Sequence, residues 1–174
     1  MHSIELLLDD TTDSSIRADW AVLIEADLPS QGRHRGASNA PHVTLLASAG
    51  FGDLHDERLR VAMAALPVPS RFSGLLVFGR PPRGLVLARG IVVTDEILRL
   101  HRAVHEVVAS TDDGIDAHSR PGAWTPHVTL ASRLTPGELA RAVELVSART
   151  APDGTLRHGR RWDPTAGDIV GLSG

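Results

Sequence analysis

Two histidines in this chain each precede a hydroxyl residue by two positions within an identical pentapeptide. Pro-His-Val-Thr-Leu occurs at Pro41–Leu45 and again at Pro126–Leu130. Imidazole titrates near pH 6.5 when unperturbed, so at neutral pH one ring can be neutral while another is protonated. A pair can therefore serve one reaction as base and acid together. The neutral ring takes a proton from an attacking water or hydroxyl, and the protonated ring delivers one to the leaving oxygen. Both motifs suit strands, whose side chains alternate between faces. His42 and Thr44 then share one face, as do His127 and Thr129, while Val43, Leu45, Val128 and Leu130 turn to a core. Side by side about a pseudo-two-fold axis, such strands would bring the imidazoles together across a groove. A phosphate there could accept hydrogen bonds from Thr44 and Thr129, and no metal or other cofactor is needed, because every acting group is a side chain. A lone His-x-Thr on a strand is usually packing; it is the repetition that points to chemistry.

The elements that must carry these motifs recur in the same order on both sides of the midpoint, with His42 and His127 85 residues apart in a chain of 174. In the first half, strand Ser3–Leu8 leads to a helix Ser14–Ala26 capped by Asp13 or Ser14, a loop Pro29–Ala40 and the first motif strand. A helix over Asp53–Leu66, spaced by Leu54, Leu59, Met63 and Leu66, and a strand Phe72–Phe78 complete it. Arg80–Gly84 reads as the connection. The second half has strand Leu85–Val93, then a helix Asp95–Ala109 capped by Thr94 with a stripe of Ile97, Leu100, Val104, Val107 and Val108. A loop Ser110–Thr125 precedes the second motif strand. Thr135-Pro136-Gly137-Glu138 then starts a helix to about Ala148, through a capping box with proline at the first helical position. Strands near Thr155–Trp162 and Asp168–Leu172 close the chain. The expectation is one domain over 1–174, made of two pseudo-symmetric lobes at about 1–80 and 84–174, with room for elements to be exchanged between them.

Composition narrows the function. Apolar residues are 42% and aromatics 3%, so the core is built from Leu, Val, Ile and Ala. Cysteine is absent, which excludes disulfides and thiolate metal sites and fits a cytoplasmic setting. No run approaches 18 apolar residues, and the start does not resemble a signal peptide. A net charge of −3 argues against sequence-independent binding of duplex DNA. All 18 basic residues are arginine, which reflects coding bias more readily than phosphate binding. His101 and His105 stand one helical turn apart, a zinc-compatible spacing, but without a third ligand they read as a helix surface. His34, His55, His118 and His158 suggest no role.

The two tetrapeptides His42-Val43-Thr44-Leu45 and His127-Val128-Thr129-Leu130 resemble the paired motifs of the two-histidine (2H) phosphoesterase superfamily, particularly its 2′-5′ RNA ligase-like branch. The resemblance implies an α+β, duplicated two-lobe fold, with mainly antiparallel sheets lining a central cleft and helices packed outside. It implies His42 and His127 as the acid–base pair and Thr44 and Thr129 as phosphate holders. The activity implied is a metal-independent phosphodiesterase opening the 2′,3′-cyclic phosphate of RNA ends or nucleotides, with 2′-5′ RNA ligation as the reverse reaction, in a monomer that engages no membrane. Trp124 and the loop arginines Arg33, Arg35, Arg120 and Arg133 are the candidates for holding an RNA end or small nucleotide. Two other classes compete: a module on the same fold that binds phosphate ends without turnover, and a metal-dependent hydrolase recruiting carboxylates such as Asp53 or Asp95.

Overall fold

Strands rich in Leu, Val and Ile build an antiparallel sheet, seen in a computed structural model that describes residues 1–36, 38–51, 56–80, 82–111 and 114–172. The strands are β1 (His2–Leu8), β2 (His42–Ser48), β3 (Val68–Ser70), β4 (Phe72–Gly79), β5 (Leu85–Ile91), β6 (His127–Leu134), β7 (Gly154–Asp163) and β8 (Asp168–Gly171). They form one eight-stranded sheet in the order β3-β7-β1-β2-β6-β5-β4, with β8 also pairing β7. The motif strands β2 and β6 are thus neighbours at its centre. β4, from the first half of the sequence, lies beside β5, and β7, from the second half, lies beside β1. The architecture is α+β, as the motifs led us to expect.

The helices are α1 (Asp10–Glu25), α2 (Asp56–Ala62), α3 (Asp95–Ala109) and α4 (Pro136–Ser147). Two begin where their caps were legible. Thr94 accepts from the Ile97 amide at the start of α3, and Thr135 and Glu138 form a reciprocal capping box on α4. The first helix begins earlier than expected. Asp9, not Asp13 or Ser14, is its cap and accepts from the Thr11 and Thr12 amides. The apolar periodicity starts only at Ile16, so the polar first turn carries no helical signal in the sequence. Residues 53–55, where the second helix was expected to begin, lie outside the described residues; the described part is Asp56–Ala62. The short strand β3 was not anticipated, because three residues around Pro69 carry no periodic signal.

The buried face of the sheet carries Ile4, Leu6, Val43, Leu45, Leu87, Val128 and Leu130. Against it pack Ile16 and Leu23 of α1 and Ile97, Leu100 and Val104 of α3, each of them buried. Burial of such a side chain is worth about 1.5–3 kcal/mol. The helices cross the midline. α1 packs on β6 and α4, whereas α3 packs on β2 and α2. Asp19 of α1, 1% exposed, secures one crossing by bonding Arg89 of β5 at 2.6 Å and Arg149 at 2.8 Å. At the β4–β5 turn, Gly79 and Gly84 take φ of 86° and 89°, a region that costs glycine little.

Candidate active site

The motif strands meet at one antiparallel pair, Val43 opposite Val128. These are equivalent positions of the two pentapeptides, so the pairing lies on the expected pseudo-dyad. Antiparallel geometry then sets His42 across from Thr129 and Thr44 across from His127. The lining of the surface agrees: His42 and Thr129 border one cavity, Thr44 and His127 another. All four side chains are half-buried, and the residues between them are buried. The histidines therefore occupy diagonal positions about the Val43–Val128 pair, which in a regular sheet lie about 7 Å apart along the strands and about 5 Å across them. That spacing brackets one phosphate.

Both imidazoles are tethered in the same way. His42 Nδ1 lies 2.8 Å from the Ala40 carbonyl and His127 Nδ1 lies 2.7 Å from the Thr125 carbonyl, in each case the residue two positions back. A carbonyl accepts only, so each Nδ1 carries hydrogen and donates it. Each Nε2 is then the atom free to take or give a proton. The hydroxyls of Thr44 and Thr129 engage no partner among the described residues and remain available as donors.

Just beyond Val43 and Val128 the two strands part, and two tryptophans occupy the parting. The Trp124 indole N–H donates to the Thr44 carbonyl at 2.8 Å, and the Trp20 indole N–H donates to the Thr129 carbonyl at 3.1 Å. Each indole satisfies a backbone acceptor at a motif threonine, and together they brace the groove on both sides of the dyad. Trp20 comes from α1. Trp124 is held by His101 of α3, whose ring stacks on it at 4.2 Å and 2°. His101 is therefore not on a helix surface as expected: it is 2% exposed, and its Nε2–H donates to the Ser119 carbonyl. Burial pushes its pKa below the ordinary imidazole value. The signal was present, since His101 falls on the apolar stripe four residues after Ile97 and three before Val104.

Around His42 the groove is charged. Glu5 of β1, paired with Thr44 in the sheet, places Oε1 3.6 Å from His42 Nε2. Its other oxygen bonds Arg160 at 2.7 Å, and Ser3 donates to Oε1 at 2.6 Å. Around His127 the groove is apolar: the Phe78 ring lies 4.6 Å from the imidazole at 41°. Glu5, Arg160, Phe78 and Trp20 escape the sequence reading, because nothing local marks a residue whose partner is remote in the sequence.

The arginine candidates divide. Arg35 lines a cavity with His42. Arg33 is turned to Asp27 at 3.1 Å and to the Leu28 carbonyl, and Arg120 donates to the Ile115 carbonyl. Arg133 sits at the far end of β6 with φ 62°, packed over Gly84. Trp124 lines the His127 cavity, and one face of its ring is covered by His101. Asp95 opens α3; Asp53 lies outside the described residues. Among the described residues, no three His, Asp or Glu side chains gather as a metal-holding group.

Paired histidines, paired threonines and a duplicated antiparallel frame define a two-histidine phosphoesterase. Comparison with known families agrees: residues 13–160 match the model of the 2′-5′ RNA ligase superfamily, and the chain belongs to that superfamily. The same fold occurs in Usb1 of Kluyveromyces marxianus, solved with uridine monophosphate. The two are 17% identical, with a TM-score of 0.57 over 98% of this chain and 97% of that one. A second structure, described as a phosphoesterase, is 16% identical with a TM-score of 0.49 over 98% and 92% of the two chains. No curated protein sequence matches the chain. No helix among the described residues is long and apolar enough to cross a membrane.

Proposed function

We propose that this phosphoesterase is a metal-independent cyclic phosphodiesterase that opens the 2′,3′-cyclic phosphate of RNA ends or nucleotides, with a reversible 2′-5′ RNA ligase activity. The observation that carries the reading is the Val43–Val128 register, which sets each tethered imidazole across from the other motif's threonine. The cyclic phosphate lies between the rings and accepts hydrogen bonds from Thr44 and Thr129. One Nε2 removes a proton from water as its oxygen bonds to phosphorus. The other Nε2 gives its proton to the ribose oxygen as the P–O bond breaks, leaving a phosphomonoester and a free hydroxyl. When an RNA 5′-hydroxyl attacks in place of water, the same ring opening breaks the P–O3′ bond and leaves a 2′-5′ diester, which is ligation; its reversal restores the cyclic phosphate. We read the molecule as two pseudo-symmetric lobes that exchange β4 and β7, acting as a monomer in the cytoplasm.

The test is hydrolysis of a nucleoside 2′,3′-cyclic phosphate, with the product phosphate located by phosphorus NMR. Turnover should survive excess EDTA and disappear in both His42→Ala and His127→Ala. Full activity in both variants overturns the mechanism, and loss on chelation replaces it with a metal-dependent one. Calorimetric binding of the cyclic nucleotide without product would make the protein a binding module instead.

A further inference from the structure

The cavities beside the two motif histidines differ, and a substrate that reaches both must be polar at one end and apolar at the other. The cavity at His42, about 290 Å³, is lined by Glu5, His34, Arg35, Ser38 and Arg160. Its charges do not cancel. Arg160 is committed to Glu5 at 2.7 Å and to the Ser38 carbonyl at 2.9 Å, so that pair is neutral overall. Arg35 engages no carboxylate among the described residues and leaves one guanidinium in excess, with His34 beside it. The cavity at His127 is larger, about 520 Å³, and among its lining residues are Phe78, Val86, Ala123 and Trp124. Among the described residues, no arginine or carboxylate borders it.

Taking the proposed cyclic phosphodiesterase as given, we propose that Arg35 binds a second phosphate of the substrate, while the base lies toward Phe78. The preferred substrate is then a 5′-phosphorylated nucleotide 2′,3′-cyclic phosphate, or the 3′ end of an RNA whose preceding phosphodiester takes that place. A nucleoside cyclic phosphate is the poorer substrate. The ribose permits this orientation, since the base on C1′ and the phosphate on C5′ diverge from the cyclic phosphate on C2′ and C3′. A guanidinium grips such a phosphate bidentately, and the attraction is screened by salt.

The experiment compares kcat/KM for uridine 2′,3′-cyclic phosphate with and without a 5′-phosphate. The protein should prefer the 5′-phosphorylated form by about tenfold or more at low salt, in keeping with a charge-assisted pair. Arg35→Gln should bring the ratio close to one, and Arg35→Glu below it. Arg33→Gln, whose arginine is turned to Asp27, should keep the wild-type ratio. Equal rates on the two substrates in the wild type overturn the proposal, as does a preference that survives Arg35→Gln. An equal loss on both substrates would assign Arg35 to the reacting phosphate and also overturn it. Failure of the underlying activity looks different, since neither substrate would then be turned over.

Discussion

The two motif strands are tethered alike, yet their outer neighbours are not. Beside Thr44, β1 carries Glu5, and opposite Glu5, β7 carries Arg160. At the matching places around Thr129, β5 carries Ala88 and β4 carries Leu76. A buried ion pair in one half thus stands where the other has two aliphatic side chains. In the proposed mechanism the residues that meet the phosphate are duplicated because both proton transfers need the same group in the same pose. On the same proposal the residues one strand further out face the rest of the substrate, which has no two-fold symmetry, and they differ accordingly.

The sharpest way to break this comparison is at the rings. His42→Ala and His127→Ala should each lower kcat by about 10²–10⁴-fold, in similar measure, as expected for loss of a positioned acid or base. The double variant should fall by less than the product of the two, because neither ring completes the reaction alone. Rapid-quench turnover of a cyclic nucleotide measures all three. If one variant retains most of the rate, the halves are not equal partners.

Next in size is the outer neighbour. Glu5→Ala leaves Arg160 buried without its carboxylate and should destabilise the fold by about 3–5 kcal/mol. The matching change in the other half, Leu76→Ala at a half-buried strand position, strands no charge. It should cost less, at or below the low end of the 2–5 kcal/mol range for core leucines. Urea denaturation of both variants gives the difference directly. Equal costs would mean that the ion pair contributes no more than packing.

The braces should behave as equals. Trp20→Phe and Trp124→Phe keep most of the ring but remove the N–H, leaving the Thr129 or the Thr44 carbonyl without its donor. Each should cost about 1–3 kcal/mol. A cost confined to one of them would show that only one side of the groove depends on its indole.

These comparisons also mark how far the sequence could be read. The motif faces were legible because alternation places His42 and Thr44 together whatever the fold. The starts of α3 and α4 were legible because Thr94 and the Thr135–Glu138 box are local signals. The Asp9 cap was missed, since its first turn is polar, and β3 was too short to show a period. Beyond Trp124 and Arg35, which line the cavities beside the motif histidines, the environment of the site was not legible. Glu5 and Arg160 are 155 residues apart, and Trp20 is 109 from the carbonyl it satisfies. One sequence carries no record of such pairings. Only topology, with β7 returning beside β1 and α1 crossing to β6, brings them together.

The smallest expected effect separates the two braces by pH. Trp124 stacks on His101, whereas Trp20 has Arg17 near its ring, 5.7 Å from the centroid. Arginine does not titrate in the accessible range, so acid acts on one brace alone. Burial holds the His101 pKa below its ordinary value, so the folded protein resists a proton that the unfolded chain accepts. Stability from the neutral ring is therefore complete above about pH 6.5, the unperturbed imidazole value, and falls as pH drops toward the lowered folded value. The carboxylates act elsewhere on the scale. Hydrogen bonds from Arg161 hold Asp56 below the usual carboxylate range, so its contribution is lost only at more acidic pH. In His101→Phe, which preserves a stacking ring but cannot be protonated, the decline of the urea midpoint just below pH 6.5 should disappear while the steeper loss at lower pH persists. A decline of the same size in both proteins would mean that proton uptake at His101 is not what loosens the second brace.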